Sequence, residues 1–158
     1  MLKIIFGLIA VGISTAVGHG ATSKFSKRLS FFTALSDFNS ALLRDTAYKK
    51  DGVTAILRSH FGDETFNIYA KSVLCALLSD CDIANPPDFL DENDRFSINE
   101  YFKTGCLLVE SAETDYLTMK REEFKEKLID MKEKSKKLTS LGSKLGFALG
   151  SVIFILII

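Results

Sequence analysis

Apolar positions along this chain fall into three regimes. From Ile4 to Ser23 the run IIFGLIAVGISTAVGHGATS contains no charged residue, and from Leu145 to Ile158 the run LGFALGSVIFILII is again free of charge. Between them the apolar residues recur at steps of three and four, and nowhere does period-two alternation persist, so the middle reads as helical throughout. Phe25, Leu29, Phe32, Leu35, Phe38 and Leu42 predict a helix from about Ser23 to Tyr48, with Thr22 or Ser23 as its N-cap. Val53, Ile56, Leu57 and Phe61 predict a short second helix closing near Gly62. Phe66, Tyr69, Val73, Leu74, Leu77 and Leu78 define a third. The acidic stretch Asp80 to Arg95, which holds both prolines at Pro86 and Pro87, reads as a loop. Ser97, with Glu100 three residues on as a capping-box partner, is expected to start a fourth helix through Tyr101, Phe102 and Leu108. Leu117, Phe124, Leu128, Met131 and Leu138 give the last and longest helix, in which Glu123–Lys127 and Asp130–Lys134 are oriented as favourable pairs. No breaker interrupts this pattern before Gly142, so the helix is expected to continue as a stiff rod into the C-terminal run.

The two ends change the picture from a helical domain to an anchored one. Ile4 to Ser23 has about the length needed to cross roughly 30 Å of hydrocarbon as a helix. The alternative is a cleaved secretory signal, with Lys3 as its basic start and Ala16-Val17-Gly18 as a small-residue cleavage site. The C-terminal run is about 14 residues, short for a span, but becomes long enough when extended back to Leu138, with Lys144 able to snorkel. Its alternative is a hydrophobic tail exchanged for a lipid anchor. The expected organisation is therefore a membrane helix over 1–23, a bundle of about five helices over 24–137, and a second membrane helix over 138–158: an all-α protein. Small residues recur every fourth position as Gly12, Ala16 and Gly20, as Ala10, Ser14 and Gly18, and as Gly142, Gly146 and Gly150. Such stripes let membrane helices approach closely, and they are the expected packing faces within one molecule or between copies in a homo-oligomer; the plainer reading is that glycine is common in membrane helices.

Charge sets the orientation. Basic and acidic residues balance at 20 each, so no net field draws the chain to nucleic acid. Lys24, Lys27 and Arg28 follow the first apolar run, and Lys132, Lys134, Lys136, Lys137 and Lys144 precede the end of the second. Both flanks therefore place the middle domain in the cytoplasm by the positive-inside rule, with Lys3 outvoted. The basic run has no interleaved aromatics for stacking on bases and suits anionic membrane lipid instead.

No catalytic constellation can be read from the residues, and no cofactor or metal is expected. His19 and His60 stand outside any known motif. Cys75, Cys81 and Cys106 lack zinc-site spacing; a metal cluster of these three with His60 is the rival to the favoured reading, buried or incidental thiols of a reducing compartment. Asp88, Asp91, Glu92 and Asp94 lack the glycine and spacing of a calcium loop and read as a solvated acidic loop.

The opening MLKIIFGLIAVGISTAVGHGATSKFSKRLSFFTALSDFNSALL and the closing KKLTSLGSKLGFALGSVIFILII, with Leu145-Gly146-Phe147 ahead of a short apolar end and Phe102 upstream of it, resemble the stage III sporulation protein AB family of endospore-forming bacteria. The likeness in layout covers nearly the whole chain. The chain departs from the family pattern at Asn39 and Ala41, usually acidic, at Ala47-Tyr48-Lys49, usually a Thr-Pro-Leu turn, and after Phe102, where a Leu-Gly and Asp signature is missing. The resemblance implies a helical domain similar to those of the inner-membrane platform proteins of type II secretion and type IV pilus systems. It implies a non-enzymatic platform in the cell (inner) membrane, on the mother-cell side of the sporulation channel, partnered by a secretion-type ATPase and channel subunits. The competing expectation is a secreted or surface-anchored helical protein with both ends processed.

Overall fold

The computed structural model describes residues 23–45, 52–79, 81–106 and 114–157, with side chains at 23–45, 52–79, 81–103, 114–137, 148 and 152. Among the described residues the chain is helical between its loops, with no strand. Helix α1 covers residues 23–45; α2 is Val53–Leu57, α3 Glu64–Ser79, α4 Glu92–Glu100, a π-helical segment follows at Tyr101–Cys106, and α5 is Thr114–Ile157. The chain divides into two units, one of residues 1–27 with 130–158, the other Arg28–Ile129.

The core of the second unit is built around α1. The expected face is buried at Phe32, Leu35, Phe38 and Leu42, while Phe25 and Leu29 are half-buried. Phe31, Ala34 and Asn39 are buried beside it. That apolar face is wider than a surface helix needs, because α1 meets several neighbours. Phe31 packs edge-on against Phe66 of α3 at 5.4 Å, and Phe38 lies 5.6 Å from Phe102 of the π-helical segment. Tyr101 meets Phe124 of α5 at 5.3 Å. The edge-to-face pairs Phe31–Phe66 and Tyr101–Phe124 add about 0.5–1.5 kcal/mol each beyond the area they bury.

Local chemistry explains most boundaries. Asp63 caps α3: its Oδ1 accepts from the Phe66 backbone N–H at 2.8 Å, so the first turn loses one orphan donor. Gly52, with φ 84°, starts α2, and its N–H donates to Asp45 Oδ2 at 3.1 Å, tying that turn to the end of α1. Asn67 on α3 grips the preceding loop through the backbone of Phe61, accepting its N–H at 2.8 Å and donating to its carbonyl at 2.6 Å. This seats Phe61 against Phe38 and Phe66, each 5.6 Å away.

Four expectations require correction. α2 closes at Leu57 rather than near Gly62, because the next turn is held by Asn67 instead of helical bonds. On α3, Leu78 is 64% exposed, and the buried stripe runs Phe66, Tyr69, Ala70, Val73 and Ala76, a face rotated toward the small residues. The acidic loop ends earlier than Arg95. Asp91 stands at the N-cap position of α4, with Glu92 and Asp94 in its first turn, where carboxylates favour the helix dipole. Ser97 is therefore interior to α4, and no capping box starts there. Beyond Glu100 the chain tightens no further into α-helix. It widens into the π-helical segment, and Tyr101 and Phe102 in succession are both fully buried.

In the other unit the described parts are residues 23–27 of α1 and α5 from Asp130 on, where Lys134 Nζ donates to Asp130 Oδ2 at 2.6 Å as expected. The helix continues past Gly142 to Ile157. Among the described residues no helix is long and apolar enough to cross a membrane. The expected span 1–23, with Gly12, Ala16 and Gly20, lies outside the described residues apart from Ser23. Gly142, Gly146 and Gly150 fall on the helical backbone of α5, and what surrounds them lies outside the described side chains.

Candidate functional site: a charge clamp and a two-arginine cleft

Two polar features stand out in the unit Arg28–Ile129, one at each end of α1. The first is built on Asp94, an acid on α4 whose side chain is 4% exposed. Its Oδ2 lies 2.6 Å from Arg28 Nη2, at the start of α1. Its Oδ1 accepts from Lys127 Nζ, near where α5 leaves the unit. Arg28 Nη1 also reaches Asp91 Oδ2 at 2.6 Å, so the carboxylate at the α4 cap position is spent on a cation rather than on its own helix. Lys127 is seated by the face of Phe32, 4.5 Å from the ring centroid.

These contacts correct two readings of the sequence. The acidic stretch is solvated at Asp88, Asp91 and Glu92, as expected, but Asp94 is buried: Asp88 pairs with Arg95 at 3.3 Å in the open, and Asp91 and Asp94 hold Arg28. Lys127 does not pair with Glu123 on its own helix; Glu123 accepts from Lys120 at 2.7 Å instead. A buried carboxylate outcompetes an exposed one for a lysine because its attraction is less screened by water. The geometry has a topological consequence. Arg28 and Lys127 share one carboxylate, so the two chain ends of this unit emerge side by side.

The second feature is a cleft of about 370 Å³ lined by Ser40, Leu43 and Arg44 of α1 and Thr118 and Arg121 of α5. Ser40, Leu43 and Arg44 share a helix face by their spacing of three and four, as do Thr118 and Arg121. Arg44 and Arg121 are exposed, and neither forms an ion pair among the described residues. Thr118 donates its hydroxyl to the Thr114 carbonyl at 2.7 Å.

The residues beside the cleft fix its width. Asn39, fully buried, donates from Nδ2 to the Leu117 carbonyl at 3.0 Å. Its Oδ1 accepts from the Tyr101 hydroxyl at 2.8 Å. Asn39 thus joins α1, the π-helical segment and α5 one residue away from Ser40 and Thr118. In sequence this position was visible only as a departure from a family pattern; a lone Asn on an apolar helix face was the signal for a buried polar bridge.

The residues weighed for chemistry are dispersed. Cys75 and Cys81 are free and exposed, and the Cys106 side chain lies outside the described residues. His60 is exposed, its Nδ1 3.1 Å from Asn67 Nδ2. Among the described residues no group of three or more His, Cys, Asp or Glu is placed to hold a metal ion.

No family model, no curated protein and no solved structure matches the chain. The class defined by fold and site is an all-helical domain, closed at one end by a buried charge clamp and open at the other in a basic cleft.

Proposed function

We propose that this chain is a membrane-anchored assembly module. Its helical domain presents a docking surface in the cytoplasm, and its two apolar ends hold it in one patch of bilayer. The observation that supports this most is the Asp94 clamp. By holding Arg28 and Lys127 on one carboxylate, it keeps the two ends of the unit Arg28–Ile129 close to each other. Two anchors leaving side by side can enter the same bilayer without straining the domain between them. The charge-free runs Ile4–Ser23 and Leu145–Ile158 supply the greasy surface, and Lys132, Lys134, Lys136 and Lys137 supply the cytoplasmic bias. Arg28 is taken up by the clamp, so the bias at the first flank rests on Lys24 and Lys27. The sporulation-channel resemblance extends the proposal to its partners: a secretion-type ATPase and channel subunits, assembled without catalysis by this chain.

The chain carries its own topology probes. Cys75 and Cys81 are exposed on the domain. In a Cys106→Ser background, a membrane-impermeant maleimide should leave intact cells unlabelled and label both thiols after permeabilisation. The full-length chain should stay in the membrane fraction through alkaline carbonate washing. Labelling of intact cells, or recovery of a secreted chain trimmed near Gly18, would replace this reading with that of a surface or secreted helical protein. An unprocessed chain that is soluble without detergent would end the anchored reading altogether.

A further inference from the structure

We infer that the cleft between α1 and α5 is a binding site for a soluble phosphate monoester, held by Arg44 and Arg121 with Ser40. This inference goes beyond the membrane reading and does not depend on it, since every residue of the cleft lies within Arg28–Ile129.

The half-buried cations of this unit have been given acids: Arg28 holds Asp91 and Asp94, Lys127 holds Asp94, Lys120 holds Glu123, and Arg95 holds Asp88. Arg44 and Arg121 line one cavity from two different helices without such an acid among the described residues. Two guanidinium groups facing a shared space repel each other, and an anion between them removes that cost. Their combined charge matches a phosphate monoester, which carries about −1.5 to −2 near neutral pH, better than a single carboxylate. The planar fork of arginine donates two parallel hydrogen bonds to phosphate oxygens, which a lysine pair would not do.

Size and rigidity agree. A volume of about 370 Å³ exceeds that of a bare phosphate and falls at the small end of the range for small-molecule sites, leaving room for a compact organic group against Leu43. Ser40 carries a hydroxyl able to donate to the ligand, whereas the Thr118 proton is spent on Thr114. The Asn39 bridge to Leu117 and Tyr101 holds the two walls at fixed separation, so little ordering accompanies binding.

The source of the phosphate follows from the lining. Leu43 is the one apolar side chain among the lining residues, so the cleft offers no surface for an acyl chain and suits a compact soluble ester better than a lipid.

The test uses the full chain in detergent micelles at constant ionic strength, titrated by calorimetry with inorganic phosphate and with glycerol phosphate, and in a parallel arm with phosphatidic acid vesicles. Saturable binding of both soluble phosphates is expected, tighter than that of acetate. Arg44→Gln and Arg121→Gln should each weaken it at least about tenfold, the scale of one lost charge-assisted hydrogen bond. Arg58→Gln, at an exposed arginine after α2, should leave it unchanged. Ser40→Asp keeps both arginines and fills the site with a carboxylate, and should abolish binding. Absence of saturable binding, or equal affinity in the double glutamine variant, would overturn the assignment. Binding to phosphatidic acid vesicles without binding to either soluble phosphate would overturn it in favour of a lipid headgroup.

Discussion

Arg28 and Arg44 sit on the same helix and meet opposite fates. Arg28 is three-quarters buried, its guanidinium held by Asp91 and by Asp94, and the carboxylate of Asp94 is shared with Lys127. Arg44 is exposed, faces Arg121 across a cleft, and forms no ion pair among the described residues. The difference teaches how a chain with no net charge divides its electrostatics between holding itself together and reaching outward. Where helix ends converge, each cation is matched with an acid and withdrawn from water, so it stabilises geometry but offers nothing to a ligand. Where the helices are pinned by a neutral amide bridge instead, the cations remain available. The clamp is not pure gain, since desolvating charges offsets much of their attraction. Its effect is to join α1, α4 and α5 through one buried carboxylate.

The contrast can be tested by removing each part in turn and following thermal or denaturant unfolding of the full chain in detergent. Asp94→Ala should be the most damaging, costing about 2–4 kcal/mol. It strands Lys127 and leaves Arg28 with Asp91 alone, although each cation retains enough access to water to keep the loss below that of a fully enclosed pair. A cost under about 0.5 kcal/mol would mean that the clamp is ornamental. Asn39→Ala should follow at about 2–3 kcal/mol, since it deprives the Tyr101 hydroxyl and the Leu117 carbonyl of a buried partner at once. Because it loosens the walls of the cleft, it should also weaken phosphate binding without touching either arginine; unchanged affinity would show that the amide bridge does not set the width. Lys127→Met keeps the stem packed on Phe32 and leaves Asp94 with Arg28, so a loss of only about 1 kcal/mol is expected. A larger loss would place most of the clamp's strength in the lysine. Arg44→Gln with Arg121→Gln should change stability least, within about 0.5 kcal/mol, because both side chains are exposed and form no ion pair among the described residues. A clear destabilisation would show that these arginines support the fold instead of facing a ligand.

Much of the fold was legible because helical periodicity is a one-dimensional property. The faces Phe32–Leu35–Phe38–Leu42 on α1 and Leu117–Phe124–Met131 on α5 could be marked by counting threes and fours, and those residues are buried. The loop-to-helix boundary at Asp91 was misread because acids were weighed as loop formers, although Glu92 and Asp94 sit equally well in the first turn of a helix. The widening at Tyr101–Cys106 was invisible for a different reason. Nothing in the residues from Tyr101 to Cys106 demands it, and it arises where two successive aromatic rings are buried together, Phe102 beside Phe38 and Tyr101 beside Phe124.

The candidate site shows the same division more sharply. The charges of the clamp and of the cleft read in the chain as ordinary surface or loop residues, and local spacing favoured partners such as Glu123 for Lys127. Local spacing failed because it counts only neighbours on one helix. Asp94 reaches Lys127 across 33 positions of chain, and Asn39 reaches Leu117 across 78. The sequence by itself determined that this protein is helical, that its middle is amphipathic, and that its charge-free ends are greasy, because those properties follow from each residue and its near neighbours. Only the tertiary structure decided which charges are neutralised within the domain and which face open space. That choice depends on burial and on distances between helices, which exist only once the chain has folded.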